Sequence, residues 1–227
     1  MEKITDKDKF IEKSKESLLR ILESFEKLPI LKVSDFSPEN TVIVNVDLIN
    51  GFCREGNLSS ELVAKIIPYA VKVNDYFKEY HKIFFVDKHT KTSAEFNSYV
   101  EHCIENTSES EIVDELQLFV DENSTICFKN SVNGFLCEDY SKWLENNMDK
   151  TNIIVLGDVT DICVLNYCLT QKTFFNEKNI NSRIIIPIKG VETYELEITN
   201  HNAELMNLFA LYNMRMNGIE VVGEIEK

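Results

Sequence analysis

Six short runs of apolar residues, most of them β-branched or aromatic, recur along the chain and alternate with longer segments of helical periodicity. A run that is apolar at every position predicts a strand buried on both faces. Such strands, separated by helices, are typical of parallel sheets in α/β proteins. The sequence therefore predicts an α/β fold with a central, mainly parallel six-stranded sheet. The predicted strands are residues 41–46, 83–86, 125–128, 152–156, 183–187 and 220–222.

Between these strands the apolar residues follow the helical spacing i, i+3, i+4. Pro68 lacks a backbone N–H, so the first of these segments is expected to form two helices or a kinked one. A further amphipathic helix at residues 6–28 is expected to cover the sheet with its apolar stripe. With no internal repeat, low-complexity tract or Gly/Ser linker, we expect one domain over residues 1–227, with the helix in residues 1–30 packing on it. The other helical segments are residues 60–80, 108–119, 138–146, 163–174 and 203–216.

The composition excludes several classes of partner. The chain has 38 acidic and 24 basic residues and a formal net charge of -14, which repels nucleic-acid phosphates and anionic lipids. No apolar stretch approaches the roughly 18 residues of a membrane span, and the first residues lack a signal-peptide core, so we expect a cytoplasmic protein. Six cysteines without CxxC pairing are expected to be free thiols there.

Polar residues follow four of the predicted strands at the point where each strand ends. Asp47 closes the first strand, Asp87 and His89 follow the second, Lys129 follows the third, and Cys163 follows the fourth. In an open parallel sheet, ligands bind outside the carboxyl ends of the strands. The sequence therefore predicts one functional site at this edge of the sheet.

Cys163 lies in the segment GDVTDICV (residues 157–164), between a predicted strand and a predicted helix. A helix N-terminus offers free N–H groups and the positive end of the helix dipole, which lower a thiol pKa and can bind an oxyanion. A thiol nucleophile needs a base, and a carboxylate serves when an ammonium balances its charge. We predict Cys163 as nucleophile, Asp47 as base and Lys129 as their electrostatic partner. Backbone N–H groups of the turn, including that of Cys163, would form the oxyanion hole.

A second group of residues has the composition of a metal site. Asp87 and His89 are separated by one residue, which places both side chains on one side of an extended segment, and His102 lies 13 residues further on. One carboxylate and two imidazoles leave coordination positions open for water and substrate, and they suit Zn²⁺, Fe²⁺ or Mn²⁺ without selecting among them. The remaining histidines, His81 and His201, are assigned no role in the site.

These residues resemble the isochorismatase-like cysteine hydrolase superfamily, and within it most resemble nicotinamidases and related amidases, over most of the chain. The resemblance implies a three-layer α/β/α sandwich and a cis peptide before the Thr160 position, between Val159 and Thr160, that helps to shape the oxyanion hole. It also implies a divalent metal, which in nicotinamidases helps to hold the substrate's pyridine nitrogen, and a homo-oligomer. The matching stretches are residues 44–53 (VNVDLINGFC), 87–89 (DKH), 102–107 (HCIENT), Lys129 with Phe135 six residues on, and 157–164.

The implied reaction is attack of Cys163 on the carbonyl of a small carboxamide such as nicotinamide, loss of ammonia, and hydrolysis of the thioester. Phe52 and Phe135 are expected as aromatic walls of the substrate pocket. The sequence departs from nicotinamidases at Lys88, where an aromatic residue is usual, and in residues 48–51 (LING). Two alternatives therefore stay open: a metal-independent amidase for carbamoyl or ureido substrates, and a non-catalytic protein that binds a metabolite. Isochorismatases themselves need no thiol, so Cys163 argues against their reaction.

Overall fold

The computed structural model describes residues 3–227 and has a twisted parallel sheet at its centre. Six strands are hydrogen-bonded neighbours in the order β4-β3-β2-β5-β6-β8, and every pairing is parallel. The predicted six-stranded sheet is thus confirmed, with the two-residue β7 added beside the end of β5 and with β1 and β9 in a separate pair. The strands are β1 Ile30–Lys32, β2 Thr41–Val46, β3 His81–Asp87, β4 Ser124–Lys129, β5 Asn152–Asp158, β6 Arg183–Pro187, β7 Val191–Glu192, β8 Glu220–Val222 and β9 Glu224–Glu226.

The helices follow the predicted pattern with one exception. Pro68 stands in the first turn of α4, where its missing N–H has no helical partner to lose, and α3 and α4 are two separate helices. The helix predicted at residues 108–119 is mostly absent, because the backbone of Glu111 and Val113 bonds to Asn50 and Leu48 after β2 instead. The helices are α1 Lys7–Glu23, α2 Asn50–Cys53, α3 Glu61–Ala64, α4 Ile67–Tyr76, α5 Asp114–Gln117, α6 Glu138–Glu145, α7 Leu165–Glu177 and α8 Ala203–Met216.

Helices cover both faces of the sheet, which confirms the three-layer α/β/α sandwich. Successive residues of a strand point to opposite faces, so each strand contributes to two apolar cores. In β5, Ile154 and Leu156 face the helices α3, α4 and α5, whereas Ile153 and Val155 face α6, α7 and α8. Because both faces are buried, the strands are apolar at nearly every position, as the sequence pattern indicated.

The N-terminal helix α1 does not cover the sheet, so that expectation was wrong. Both sheet faces are already occupied, and α1 lies along the outside of α8 with no fully buried side chain. Its end is held by Arg215, whose guanidinium donates to the Ser24 carbonyl at 2.9 Å and lies over the Phe25 ring. In the described part of the chain, no helix combines the length and apolar character needed to cross a membrane.

A glycine brings the ends of the two central strands together. Gly157 pairs with Val46 in the register of β2 and β5 and has φ +120°, a conformation that favours glycine. A Cβ atom on it would lie 2.0 Å from the Val46 carbonyl oxygen, so no other residue fits without moving the backbone. This close approach places Asp47, which follows Val46, beside the turn that follows Asp158.

Asp158, the last residue of β5, is a carboxyl group buried in the apolar interior. It has no solvent exposure, and within residues 3–227 neither of its oxygens has a hydrogen-bond partner. Burial, and then the negative charge of Asp47, raise the pKa of Asp158 well above its ordinary value of 3.8. Burial therefore favours the protonated, uncharged form of this side chain over its carboxylate.

This burial predicts a pH dependence of stability. Because the folded-state pKa is raised, the stabilisation is fully present below the unfolded pKa of about 4 and is lost as pH rises toward the folded value. Asp158→Asn has nearly the shape of the neutral acid and does not ionise. We expect the free energy of unfolding in urea to fall less between pH 5 and 8 for the variant than for the native chain. The slopes of the two against pH should differ by at most about 1.4 kcal/mol per pH unit. Identical pH dependence of the two proteins would contradict the prediction.

Candidate active site

The carboxyl ends of β4, β3, β2 and β5 bring four of the predicted site residues into one buried cluster. The Lys129 ammonium lies at its centre, 2.8 Å from Asp47 Oδ2 and 2.6 Å from Asp87 Oδ1. The same nitrogen lies 3.7 Å from Cys163 Sγ. All four side chains are almost wholly excluded from solvent. The adjacency of the four strands therefore assembles an ammonium, two carboxylates and a thiol from distant parts of the chain.

The backbone around Asp47 fixes its carboxylate. Asp47 has φ 51°, in the left-handed region that Asp tolerates better than most residues, so the chain turns sharply as it leaves β2. Its N–H donates to the Phe85 carbonyl at 3.0 Å, and its Oδ1 accepts the Asp87 N–H at 3.0 Å. Oδ2 faces the Lys129 ammonium, and one of the two carboxylate oxygens lies within 4.8 Å of Cys163 Sγ. One oxygen thus anchors the side chain and the other is available to exchange a proton.

The cluster shifts the ionisation of its members. Burial, only partly offset by Lys129, raises the pKa of Asp47 to about 7. Burial would also raise the pKa of Asp87, but Lys129 and the neighbouring imidazoles of His102 and His89 outweigh it and leave that pKa below its ordinary value. For Lys129, burial acts against the charge, yet Asp47, Asp87 and Cys163 keep its pKa well above the ordinary value. The arrangement gives a charged lysine beside a base that titrates near neutrality.

The thiol itself is neutral in this resting arrangement. Burial raises the pKa of Cys163 well above its ordinary value, and the Lys129 ammonium offsets only part of that effect. The Sγ atom and one oxygen each of Asp47 and Asp87 lie within 4.8 Å of one another. A proton can therefore pass from the thiol to Asp47 when a substrate arrives, with Lys129 balancing the charge.

The turn from Asp158 to Val164, which carries Cys163 and is called the nucleophile turn below, has a cis peptide one position before the expected one. The cis bond joins Asp158 and Val159, not Val159 and Thr160, because β5 runs to Asp158 and the chain reverses directly after it. Residues Thr160–Val164 form a single wide helical turn that leads into α7, and Cys163 projects from it. Val159 and Thr160 both lie at the base of this turn and are buried. The Thr160 hydroxyl has no hydrogen-bond partner within residues 3–227.

The predicted metal-ligating residues also converge. His89 Nε2 lies 3.3 Å from Asp87 Oδ1, and His102 Nε2 lies 3.6 Å from Asp87 Oδ2. A fourth member, Glu95, was not predicted from the sequence; its Oε1 is 3.8 Å from His89 Nε2. Glu95 follows no strand and shows no periodic spacing; it lies in a turn that bends back toward His89. One donor atom from each of these four side chains lies within 4.8 Å of the others.

The outer nitrogens of both histidines are held by acceptors. His89 Nδ1 faces the side-chain oxygen of Asn130 at 2.9 Å, and His102 Nδ1 faces the Val100 carbonyl at 2.8 Å. An Nδ1 proton donated to such an acceptor leaves the Nε2 lone pair free, which is the tautomer that metal-bound histidines have. The buried Nε2 of His89 has no hydrogen-bond partner within residues 3–227. The four side chains therefore fit a small divalent cation.

A small, partly open cavity is lined by Cys163 and by Asp87, Glu95 and His102 of the predicted metal site. Phe52 lies in its wall, as expected, together with the unpredicted aromatic residues Tyr99 and Tyr194. Phe135 is not in this cavity, so that expectation was wrong. The turn after Lys129 carries Phe135 to the outer side of the sheet, where its ring packs against Tyr140 and Phe174. The other wall residues are Leu58, Val132, Val159 and Ile162.

Comparisons with known proteins agree with this arrangement. The chain is 28% identical to Nicotinamidase 1 of Arabidopsis thaliana over 210 residues, which is 81% of this chain and 85% of that protein. Its fold is similar to the crystal structure of N-carbamoylsarcosine amidase from Thermoplasma acidophilum, with a TM-score of 0.65 and 22% identity, covering 81% of this chain and 95% of that one. It is also similar to pyrazinamidase of Pyrococcus horikoshii in complex with zinc, with a TM-score of 0.64 and 22% identity, covering 81% and 98%.

A match to a family domain extends over most of the chain. Residues 41–209 match the Isochorismatase domain, a span that runs from β2 into α8 and includes every residue of the buried cluster. This match confirms the resemblance seen in the sequence. The chain belongs to the isochorismatase family of hydrolases.

Proposed function

We propose that the protein is a cysteine-dependent amidohydrolase of the nicotinamidase type, which converts a small carboxamide to the acid and ammonia. The observation that carries the proposal is the contact of one buried ammonium, that of Lys129, with the Asp47 carboxylate and the Cys163 thiol. A buried thiol beside a base and a fixed positive charge is suited to nucleophilic attack. The similarity to a nicotinamidase and to amidases supports an amide as the substrate.

The proposed reaction has two halves. Cys163 transfers its proton to Asp47 while Sγ attacks the amide carbonyl, and the resulting oxyanion accepts hydrogen bonds from backbone N–H groups of the turn, at Val159, Thr160 and Cys163. Asp47 then gives that proton to the leaving nitrogen, ammonia departs, and a thioester remains. Asp47 next takes a proton from water, which attacks the thioester. The acid leaves, and the proton returns to the Cys163 sulfur.

We propose that Asp87, His89, Glu95 and His102 hold a divalent metal ion, with Zn²⁺ first and Fe²⁺ or Mn²⁺ as alternatives. The chemistry that such an ion supplies is coordination of a substrate nitrogen or a water. The support is the donor set itself and the similarity to a pyrazinamidase crystallised with zinc. Asp87 would belong to both groups, because its Oδ1 also contacts Lys129.

The cavity favours a small, flat substrate. Its aromatic residues Phe52, Tyr99 and Tyr194 suit nicotinamide or a related aromatic carboxamide. A carbamoyl or ureido substrate is the second candidate, favoured by the similarity to N-carbamoylsarcosine amidase. The one-domain organisation, the homo-oligomeric state and the cytoplasmic location stay predictions.

The activity test is ammonia release from a panel of both compound types, with and without added Zn²⁺, Fe²⁺ and Mn²⁺.

Cys163→Ala should reduce kcat to the background of the assay, because no other group can form the thioester; losses of about 10⁶-fold follow removal of a catalytic nucleophile. The matched control is Cys168→Ala, the same change at an equally buried cysteine five residues further on, which should retain activity. Circular dichroism of both variants checks the fold. Substantial turnover by Cys163→Ala would refute the mechanism.

The raised pKa of Asp47 predicts the acid limb of the pH profile. The base must be ionised to accept the thiol proton, so kcat/KM should fall about tenfold per pH unit below an apparent pKa of about 7. That value belongs to the coupled cluster, because Lys129 and Cys163 contribute to it. Asp47→Asn should reduce kcat by at least about 10³-fold at every pH. An activity constant from pH 5 to 8 would be incompatible with Asp47 as the base.

His89→Asn should weaken metal binding by at least about 100-fold, since it removes a ligand. The control is His81→Asn, the same change at a histidine that contacts Asn123 and Thr125 away from the site. The readouts are metal content by mass spectrometry and Zn²⁺ affinity in competition with a chromophoric chelator, neither of which requires activity. Equal affinities of the two variants, or purified protein without metal and active in the presence of chelators, would favour the metal-independent alternative.

A further inference from the structure

The segment between β7 and α8, residues 193–202, lies against the nucleophile turn and is held to it by one carboxylate. That carboxylate belongs to Asp161, two residues before Cys163. Its Oδ1 accepts a hydrogen bond from the Thr193 hydroxyl at 2.7 Å, and its Oδ2 lies 2.8 Å from His201 Nε2. Both oxygens of one side chain in the turn are therefore engaged by groups of the facing segment.

His201 completes the connection on the other side of the ring. Its Nδ1 lies 2.9 Å from the Tyr194 carbonyl oxygen. A carbonyl oxygen and a carboxylate oxygen are both acceptors, so both contacts are hydrogen bonds only when each ring nitrogen carries a proton. His201 thus joins Asp161 of the turn to the backbone of Tyr194.

The segment is closed by its own backbone hydrogen bonds, and its tip projects into solvent. Leu196 and His201 form a reciprocal backbone pair, at 2.9 and 3.1 Å, that closes the loop between them. Ile198, at the tip of this loop, is 88% exposed and so contributes little packing that would fix the loop's position. The start of the segment is anchored by β7 on the end of β5. Asp161 holds the segment at two further points, Thr193 and His201.

Tyr194 connects this arrangement to the substrate cavity. Its ring is 7% exposed, lies 4.7 Å from the His201 ring and lines the same cavity as Cys163 and Phe52. The residue before it, Thr193, and its own carbonyl are both held by the Asp161–His201 pair. A shift of the segment would therefore move an aromatic wall of the cavity relative to the thiol.

We propose that Asp161 and His201 are a positioning pair that sets Tyr194 as a wall of the substrate cavity and so determines which flat carboxamides fit beside Cys163. The proposal rests on the proposed amidase function for its substrate, but not for its geometry. Neither Asp161 nor His201 is assigned a role in bond making; both act through Tyr194. A pair that served only to start α8 would affect stability and leave substrate selection unchanged.

The test compares His201→Gln with Tyr194→Ala and with the double variant. A glutamine can donate to Asp161 but has no second nitrogen for the Tyr194 carbonyl. Tyr194 would contact the ring of a flat carboxamide and not its reacting carbonyl. Each single variant should therefore raise KM by about tenfold, with kcat within about threefold of the native value. The double variant should be no worse than Tyr194→Ala alone, because His201 acts through that ring. Asp161→Asn changes the other member of the pair, the one on the nucleophile turn, and should raise KM to the same extent.

The control is His81→Gln, the same change at a histidine whose ring stacks on Trp143 away from the cavity, and it should leave KM unchanged. An unchanged KM in His201→Gln, or an increase in the double variant equal to the product of the two single increases, would overturn the proposal. Thermal unfolding of each variant separates a loss of fold from a loss of positioning.

A second readout does not require amidase activity. Iodoacetamide labelling of Cys163, followed by mass spectrometry of its peptide, should be several-fold faster in His201→Gln and Tyr194→Ala, because the wall covers the thiol. Labelling at the native rate in both would overturn the proposal. If no carboxamide in the panel is hydrolysed, the proposed function fails, and the labelling rates alone decide the positioning pair.

Discussion

The site depends on one buried positive charge, the ammonium of Lys129. Charged groups in a protein interior are strongly destabilising unless they are paired, and removing one partner leaves the others uncompensated. Lys129 contacts Asp47 and Asp87 at 2.8 and 2.6 Å, so it compensates two carboxylates at once. One ammonium against two carboxylates leaves an excess negative charge when both are ionised. Burial and that excess raise the pKa of Asp47, whereas Lys129 and the two histidines lower the pKa of Asp87.

The unequal shifts divide the work between the two carboxylates. Asp87 keeps its charge because two histidines and Lys129 all contact it, so it is suited to ligate a cation. Asp47 gains a proton near neutrality, so it is suited to exchange one with Cys163. A divalent ion bound beside Asp87 would offset the excess negative charge, and its binding would lower the pKa of Asp47. Metal binding and base strength are therefore coupled through Lys129 in the proposed enzyme.

Much of this could be predicted from the sequence, because strand ends in a parallel sheet share one edge. Asp47 and Lys129 directly follow apolar runs and Cys163 lies in the turn after another, so no contact information was needed to group them. Side chains carried by irregular segments could not be grouped in this way. Glu95 and His201 reach the site through turns whose path is set by tertiary hydrogen bonds, and the turn after Lys129 turns Phe135 away. The position of the cis peptide was expected from the family resemblance alone, and the structure has it one residue earlier, directly after β5.

Lys88 stands where nicotinamidases usually have an aromatic residue, but its side chain lies outside the cavity beside Cys163. Lys88 lies between Asp87 and His89, and in extended backbone its side chain points away from theirs. Its ammonium lies 4.2 Å from the centre of the Phe128 ring, a half-exposed ring outside the cavity. A cation over an aromatic face is a favourable contact, so this lysine is held there. The aromatic surface next to Cys163 comes instead from Phe52, Tyr99 and Tyr194. In the proposed enzyme, selection between a ring-bearing carboxamide and a carbamoyl compound would therefore depend on those three side chains, and not on position 88.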